Sequence, residues 1–153
     1  MLRIVPAVVA VLVLLLLGRF VFMSTTASAP DHLGNPGTGL TPCPDKPNCV
    51  SSLAERDSQR VEPLVVAGGA DDAARAVLRV LDAMPRCRVV TSGDGYLHAE
   101  FTSRLFRFVD DLELLYDDSV PGFQVRSASR VGHSDLGANR KRVEALRARL
   151  AAR

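Results

Sequence analysis

The sequence predicts an α+β domain, a two-layer sandwich in which an antiparallel sheet carries two helices on one face. Segments typical of strands alternate with two segments of helical periodicity, in the order β-α-β-β-β-β-α. Short turns join the later strands, and short connections imply antiparallel neighbours. A chain of 153 residues has room for one such domain with one core.

The first strand and the first helix are expected between residues 60 and 82. Valine and leucine dominate 60–67, which favours a strand, and Gly68-Gly69 end it. Asp71 can cap the following helix, and Pro85 lies just beyond its end. The apolar positions of this helix fall at i, i+3, i+4 and i+7, namely Ala74, Val77, Leu78 and Leu81.

Four strands and a last helix complete the prediction. The strands are expected at 88–91, 96–103, 106–116 and 122–128, with turns rich in Gly and Asp between them. The helix is expected at 136–152, capped by Ser134 or Asp135, with an apolar seam of Leu136, Asn139, Val143, Leu146 and Leu150. Because the chain lacks tryptophan, we expect the large core residues to be Phe101, Phe106, Phe108, Tyr116 and Phe123.

An apolar segment of 20 residues, 4–23, precedes the domain. As a helix it would be ~30 Å long, the thickness of a hydrocarbon core, so we expect residues 1–23 to be an uncleaved single-pass membrane anchor. The alternative is a cleaved signal peptide with its cleavage site at Ala27-Ser28-Ala29. The long gap after the apolar core and the proline at position 30 argue against cleavage. Both interpretations export the rest of the chain.

The exported part divides into a linker and a domain of uneven charge. Residues 24–42 are rich in Ser, Thr, Gly and Pro and predict a flexible linker, and residues 43–153 form the domain. Residues 24–125 carry a net charge of −6 and residues 126–153 a net charge of +6. Since these charges sum to zero, no nucleic-acid partner is expected. The two halves either pair inside the domain or present a basic surface to an anion.

Three segments together resemble a known family. They read CPDKPNCVSS at 43–52, RFVDDLE at 107–113 and VRSASRVGHSDLGANRKRVE at 125–144. The chain is similar, over about 42–150, to the bacterial and plastid family called domain of unknown function 1499. The resemblance implies no established activity and no cofactor. Together with the apolar segment, it places the protein in the bacterial inner membrane, with the C-terminal domain in the periplasm or outside the cell.

The three cysteines predict a disulfide rather than a metal site. In an oxidising compartment we expect a bridge between Cys43 and Cys49, whose loop contains two prolines. The alternatives are two reduced thiols or a bridge from Cys49 to Cys87. Zinc is not expected, because the spacing is unusual and no second cysteine pair exists. Cys87 lies outside the family pattern, and its role stays open.

The acidic motif Asp110-Asp111-x-Glu113 lies on a predicted strand. Asp111 and Glu113 then point to one face and Asp110 to the other. The two carboxylates on one face could act as an acid–base pair or hold a cation. The interpretation we favour is that they pair with Arg126 and Arg130 of the next segment, and the remaining alternative is an anionic ligand that shares these arginines.

The leading hypothesis is a binding module of the cell envelope that recognises an anionic group, such as a lipid headgroup or an acidic segment of a partner protein. Arginines and hydroxyls at the end of a strand adjoin the start of a helix, a combination that suits phosphate or carboxylate. The candidate ligand-binding residues are Arg126, Ser129, Arg130, Asn139 and Arg140.

Two other classes of function stay open. One is a hydrolase that uses Asp111, Glu113 or His133, and the other is a purely structural partner in a membrane complex. A cleft lined by both Asp111 and Arg130 would favour a ligand or an enzyme. A filled interior would favour the structural role.

Overall fold

The computed structural model describes residues 4–25, 30–31 and 33–152. These residues form three helices and six strands. In chain order the elements are α1 (Ile4–Thr25), β1 (Cys49–Ser51), β2 (Leu64–Val65), α2 (Ala70–Asp82), β3 (Cys87–Gly93), β4 (Tyr96–Thr102), β5 (Val109–Asp117), β6 (Gly122–Ser129) and α3 (Ala138–Ala151).

The six strands form one open antiparallel sheet, which confirms the predicted fold class. The strand order is β1-β6-β5-β4-β3, and β2 pairs with the start of β6. The β3–β4 turn has positive φ at both Asp94 and Gly95, the geometry that two-residue hairpins require. In β5, the register places Asp111 opposite Glu100 and Ala128, and Glu113 opposite His98 and Arg126. This register determines which charged groups meet.

The hydrophobic core lies between the sheet and the helices α2 and α3. Leu112 and Leu114 of β5 point into it, so Asp111 and Glu113, which alternate with them along the strand, point to the other face. The buried positions of α3 follow the predicted seam at Asn139, Val143 and Leu146. The core also buries Phe101 and Phe123, and Tyr116 packs against it, whereas Phe106 and Phe108 lie outside the core cluster.

Helices α2 and α3 begin differently from the prediction. Gly69 holds the N-cap position of α2, and Asp71 lies in its first turn, where a negative charge suits the helix dipole. Gly137, in the left-handed region, precedes α3. The Asp135 carboxylate nevertheless accepts hydrogen bonds from the Gly137 and Asn139 amides, at 2.9 and 2.8 Å. Leu136 was expected in the seam, but it lies before the helix and is 89% exposed.

The N-terminal helix α1 covers the segment expected to be an anchor. The described residues contain no helix that is both long and apolar enough to cross a membrane. The alternative cleavage site at 27–29 lies outside the described residues. Membrane anchoring therefore stays a prediction.

Candidate functional site

The face of the sheet opposite the helices carries a layer of buried charged and polar side chains. Asp111 and Glu113 on β5, Arg126 on β6 and His98 on β4 are each no more than 3% exposed. Charged side chains at this depth are normally paired, because an uncompensated buried charge is costly. The predicted pairing between the acidic motif and the arginines is what the structure shows.

Glu113 holds the centre of this layer. Its Oε2 accepts a hydrogen bond from Arg126 Nη1 at 2.6 Å, and the two side chains are 0% and 3% exposed. Its Oε1 accepts from the Tyr96 hydroxyl at 2.9 Å and from the Gly34 amide at 2.6 Å. Burial and the neighbouring Glu113 carboxylate raise the pKa of Tyr96, so its hydroxyl remains a hydrogen-bond donor.

Asp111 joins two strands and the turn after β6. Arg130 donates to both of its oxygens, at 2.9 and 2.7 Å, and His98 Nε2 lies 2.7 Å from Oδ1. The same Arg130 donates to Glu100 at 2.5 Å. Burial raises the pKa of Asp111 and of Glu100, but hydrogen bonds to their cationic neighbours outweigh burial and leave both pKa values below the usual range. The hydrogen bond to Asp111 raises the pKa of Arg130 further.

Residues 33–48, which we call the cover segment, lie over this polar layer. Gly34 falls inside the predicted linker, yet it is buried. Its amide donates a hydrogen bond to the Glu113 carboxylate. A Cβ at Gly34 would lie 2.4 Å from the Gly39 carbonyl oxygen, so only glycine fits there. At the other end, Asn48 is buried and its side chain donates to the carbonyl of Gly132 at 2.8 Å. The cover segment therefore excludes water from charges that would otherwise be solvated.

The disulfide lies at the end of the cover segment. Cys43 and Cys49 are bonded, with their Cα atoms 5.7 Å apart, which confirms the predicted bridge. It joins the loop to β1 and so to the sheet. Cys87 is a free, half-buried thiol, and burial raises its pKa to about 11.

A cleft of about 390 Å³ opens between the cover segment and the end of β6. Both Asp111 and Arg130 line it, together with Lys46, Asn48 and Arg126. Its charged lining residues are therefore three cations and one carboxylate. Two buried atoms of this lining, Arg126 Nε and Asn48 Oδ1, have no hydrogen-bond partner among the described residues. Buried polar atoms are normally paired, so these two are available to a ligand or to water.

The five candidate ligand-binding residues do not form one site. Arg126, Ser129 and Arg130 line the cleft. Asn139 is fully buried behind it and donates to Ser129 Oγ and to the Asn48 carbonyl, so it holds α3 against the site. Arg140 donates to the carbonyls of residues 58 and 60, at 2.9 and 2.8 Å, which hold it away from the cleft.

The structure does not bring the hydrolase candidates together. His133 is exposed and lines a different cavity, and the described hydrogen bonds include none from it to Asp111 or Glu113. Asp110 points to the helix face, as expected, and pairs with Arg142 at 2.5 Å. Across residues 4–25, 30–31 and 33–152, no group of three His, Cys, Asp or Glu side chains is suited to a metal ion.

Sequence reasoning did not identify His98, Lys46 or Asn48 as parts of the site. The two-residue period of strands could have predicted the position of His98, because it places His98 on the same face as Tyr96 and Glu100. Lys46 and Asn48 reach the cleft only because the cover segment folds back over the sheet. Composition alone does not reveal that path.

The fold and the cleft define a class of protein: a small α+β domain with buried ion pairs beneath an N-terminal cover. The chain belongs to the protein of unknown function (DUF1499) family, whose model matches residues 39–150. This match confirms the resemblance seen in the sequence and includes most of the cover segment. No curated protein and no solved structure shows significant similarity to the chain.

Proposed function

We propose that the protein is an exported, membrane-anchored binding module that holds an anionic group in the cleft beside Arg126 and Arg130. The observation that carries the proposal is the cleft itself, which both Asp111 and Arg130 line. A sheet face with a purely structural role would be filled at this point. An open cleft lined by Lys46, Arg126 and Arg130 supports binding instead.

The ion pairs determine which side-chain groups of the cleft can bind a ligand. Arg130 is engaged by Asp111 and Glu100, and one nitrogen of Arg126 is engaged by Glu113. Arg126 Nε and the Lys46 ammonium are left to meet an anion, because the described ion pairs include none at Lys46. The unpartnered Asn48 Oδ1 accepts rather than donates. The complementary ligand therefore carries an anionic oxygen beside a hydroxyl, as a hydrogen phosphate or a glycerol phosphate group does.

The anchor rests on the sequence. The segment 4–23 contains no acidic residue, and its only charged residue, Arg19, is close enough to its end for the long side chain to reach the interface. We expect the full-length protein to remain in the membrane fraction after carbonate extraction. A mature protein that begins at Pro30 in the soluble fraction would contradict the anchor.

Thermal unfolding of the full-length protein in detergent tests the binding. Inorganic phosphate and glycerol phosphate should raise the melting temperature, because a ligand at a hundredfold excess over its Kd stabilises the folded state by about 2.7 kcal/mol. Lys46→Ala should lose this increase. Lys141→Ala is the matched control, since Lys141 is the chain's other lysine, is exposed on α3 and does not line the cleft.

Acetate separates phosphate recognition from a general preference for anions. A rise with phosphate and glycerol phosphate but not with acetate would identify the phosphate group. No rise with any of the three would contradict the proposal and leave the structural role. An equal loss in both lysine variants would attribute the effect to non-specific charge screening.

A further inference from the structure

A second cavity, of about 630 Å³, lies between two turns at one end of the domain. We call it the apolar groove. The turn at 103–108 contributes Leu105, Phe106 and Phe108, and the turn at 131–138 contributes Val131 and Leu136. Leu105 is 77% exposed and Leu136 89% exposed, more than any other large apolar side chain among the described residues.

Leu136 is an unusual choice for its position. Its φ of 53° lies in the left-handed region, which favours glycine or asparagine, and a bulky side chain there is uncommon. A leucine that is both strained and largely exposed does nothing for the core. Backbone strain of this kind clusters at functional sites, and contiguous exposed apolar surface marks interaction sites.

The exposed charged side chains around the apolar groove are arginines. Arg104 and Arg107 alternate with the apolar residues of the first turn, and both are exposed. The two carboxylates of the groove are already engaged, Asp110 by Arg142 and Asp135 by the amides at the start of α3. Apolar side chains beside exposed arginines are complementary to an anionic lipid surface.

The apolar groove lies on the side of the domain from which the chain leads to the anchor. Pro30 lines the cleft together with Val131 and Gly132, and these two residues also line the groove. The five residue steps from Thr25 to Pro30 span at most about 18 Å. A membrane that contains α1 is therefore within reach of the side of the apolar groove that Val131 and Gly132 form.

We propose that the rim of the apolar groove docks on the anionic membrane that holds the anchor, with Leu105 and Leu136 inserted at the lipid interface. The proposal rests on the anchor of the proposed function. Docking fixes the orientation of the domain on the membrane and turns one end of the cleft toward the lipid headgroups.

Single tryptophans report on the docking, because the native chain has none. The full-length protein carrying Leu136→Trp or Leu105→Trp is reconstituted into vesicles of phosphatidylcholine and phosphatidylglycerol whose acyl chains carry bromine. Bromine quenches tryptophan only at close range. Both variants should lose most of their fluorescence relative to unbrominated vesicles and should emit at shorter wavelength.

Val65→Trp is the matched control. Val65 is 68% exposed and lines a cavity together with two arginines, Arg79 and Arg147. It pairs with Gly122 at the start of β6, whereas the apolar groove lies at the other end, beside Ser129. The fluorescence of this variant should stay unquenched in the same vesicles, so tethering by the anchor alone cannot produce the expected difference.

The charge requirement gives a second measurement. Adding Arg104→Gln and Arg107→Gln to the Leu136→Trp variant should reduce its quenching in anionic vesicles to the level seen in pure phosphatidylcholine. Equal quenching of the Leu136→Trp and Val65→Trp variants, or none in either, would overturn the docking. Quenching of the Leu136→Trp variant by a brominated fatty acid, but not by a brominated bilayer, would overturn it in favour of an acyl ligand.

Failure of the docking is distinguishable from failure of the anchor. A Leu136→Trp protein that reconstitutes with the vesicles but shows no quenching overturns only the docking. A protein that neither reconstitutes nor resists carbonate extraction overturns the anchor and, with it, the docking.

Discussion

Replacing Glu113 by glutamine tests whether the buried charge layer holds the sheet together. Glutamine keeps an acceptor for Gly34 and Tyr96, which both donate to Oε1. It removes the negative charge at Oε2 and places an N–H donor beside Arg126, which is 3% exposed. Removing one partner of a buried pair costs ~3–5 kcal/mol, because the remaining charge is uncompensated.

A double-mutant cycle shows whether the stability cost of Glu113→Gln comes from its pair with Arg126. Arg126→Met alone leaves Glu113 charged and buried without its cation, so it should also cost ~3–5 kcal/mol. The two changes together leave a neutral amide beside an apolar side chain of similar length. The double variant leaves an unpaired amide donor but no unpaired charge, so it should be more stable than either single one.

The assay is urea unfolding of the full-length protein in detergent, followed by circular dichroism. Arg88→Gln serves as the reference, because the Arg88 side chain is 70% exposed in its pair with Glu100 and the change should cost only ~0–1 kcal/mol. A Glu113→Gln cost as small as that of Arg88→Gln would refute the reasoning, as would single costs that simply add in the double variant.

Three further predictions concern the disulfide, the acid response and the free thiol. Replacing both Cys43 and Cys49 by serine should lower the free energy of unfolding by about 2 kcal/mol, because the bridge closes a short loop. A free energy of unfolding, measured in urea, that equals the wild-type value within error would contradict this. Because the pKa of Glu100 is lowered by its arginines in the folded protein, the unfolded chain binds its proton first as the pH falls. The stability from ionised Glu100 is therefore complete above its ordinary pKa of about 4.3 and is lost below it. The advantage of wild type over Glu100→Gln in urea unfolding should shrink from pH 7 to pH 3, and an unchanged gap would count against the ion pair. Cys87, with its pKa raised to about 11, should react with iodoacetamide at about pH 7 more slowly than in the urea-unfolded chain; equal rates would show that burial does not protect it.

The pairing of the acidic motif was predictable because strands impose a two-residue period that can be seen directly in a sequence. Asp111 and Glu113 share one face and Asp110 takes the other, as expected. The register of a short hairpin then brings Arg126 opposite Glu113. Local rules of this kind need no knowledge of the rest of the chain.

The parts that sequence did not reveal depend on distant contacts. The strand β1 has three residues, and it exists because β6 offers a free edge to Cys49–Ser51. Residues 33–42 of the cover segment belong to the predicted linker, yet one amide among them, that of Gly34, binds a carboxylate 79 residues away. Leu136 fits the seam of α3 by spacing, but Gly137 in the left-handed region begins the helix after it.

The cover segment explains why the second face of the sheet is charged rather than apolar. In a two-layer sandwich that face normally meets water, and ion pairs on it contribute little. Here the cover segment crosses the face and buries it, so the same ion pairs become costly to break. An apolar layer would also seal the face, but it would place no cations in the lining of the cleft. The charged layer combines both properties: Glu113 fixes the cover through Gly34, and Arg126 keeps one unpartnered nitrogen in a residue that lines the cleft. Gly34 of the cover segment and Arg126 of the cleft lining are therefore held by the same carboxylate, that of Glu113.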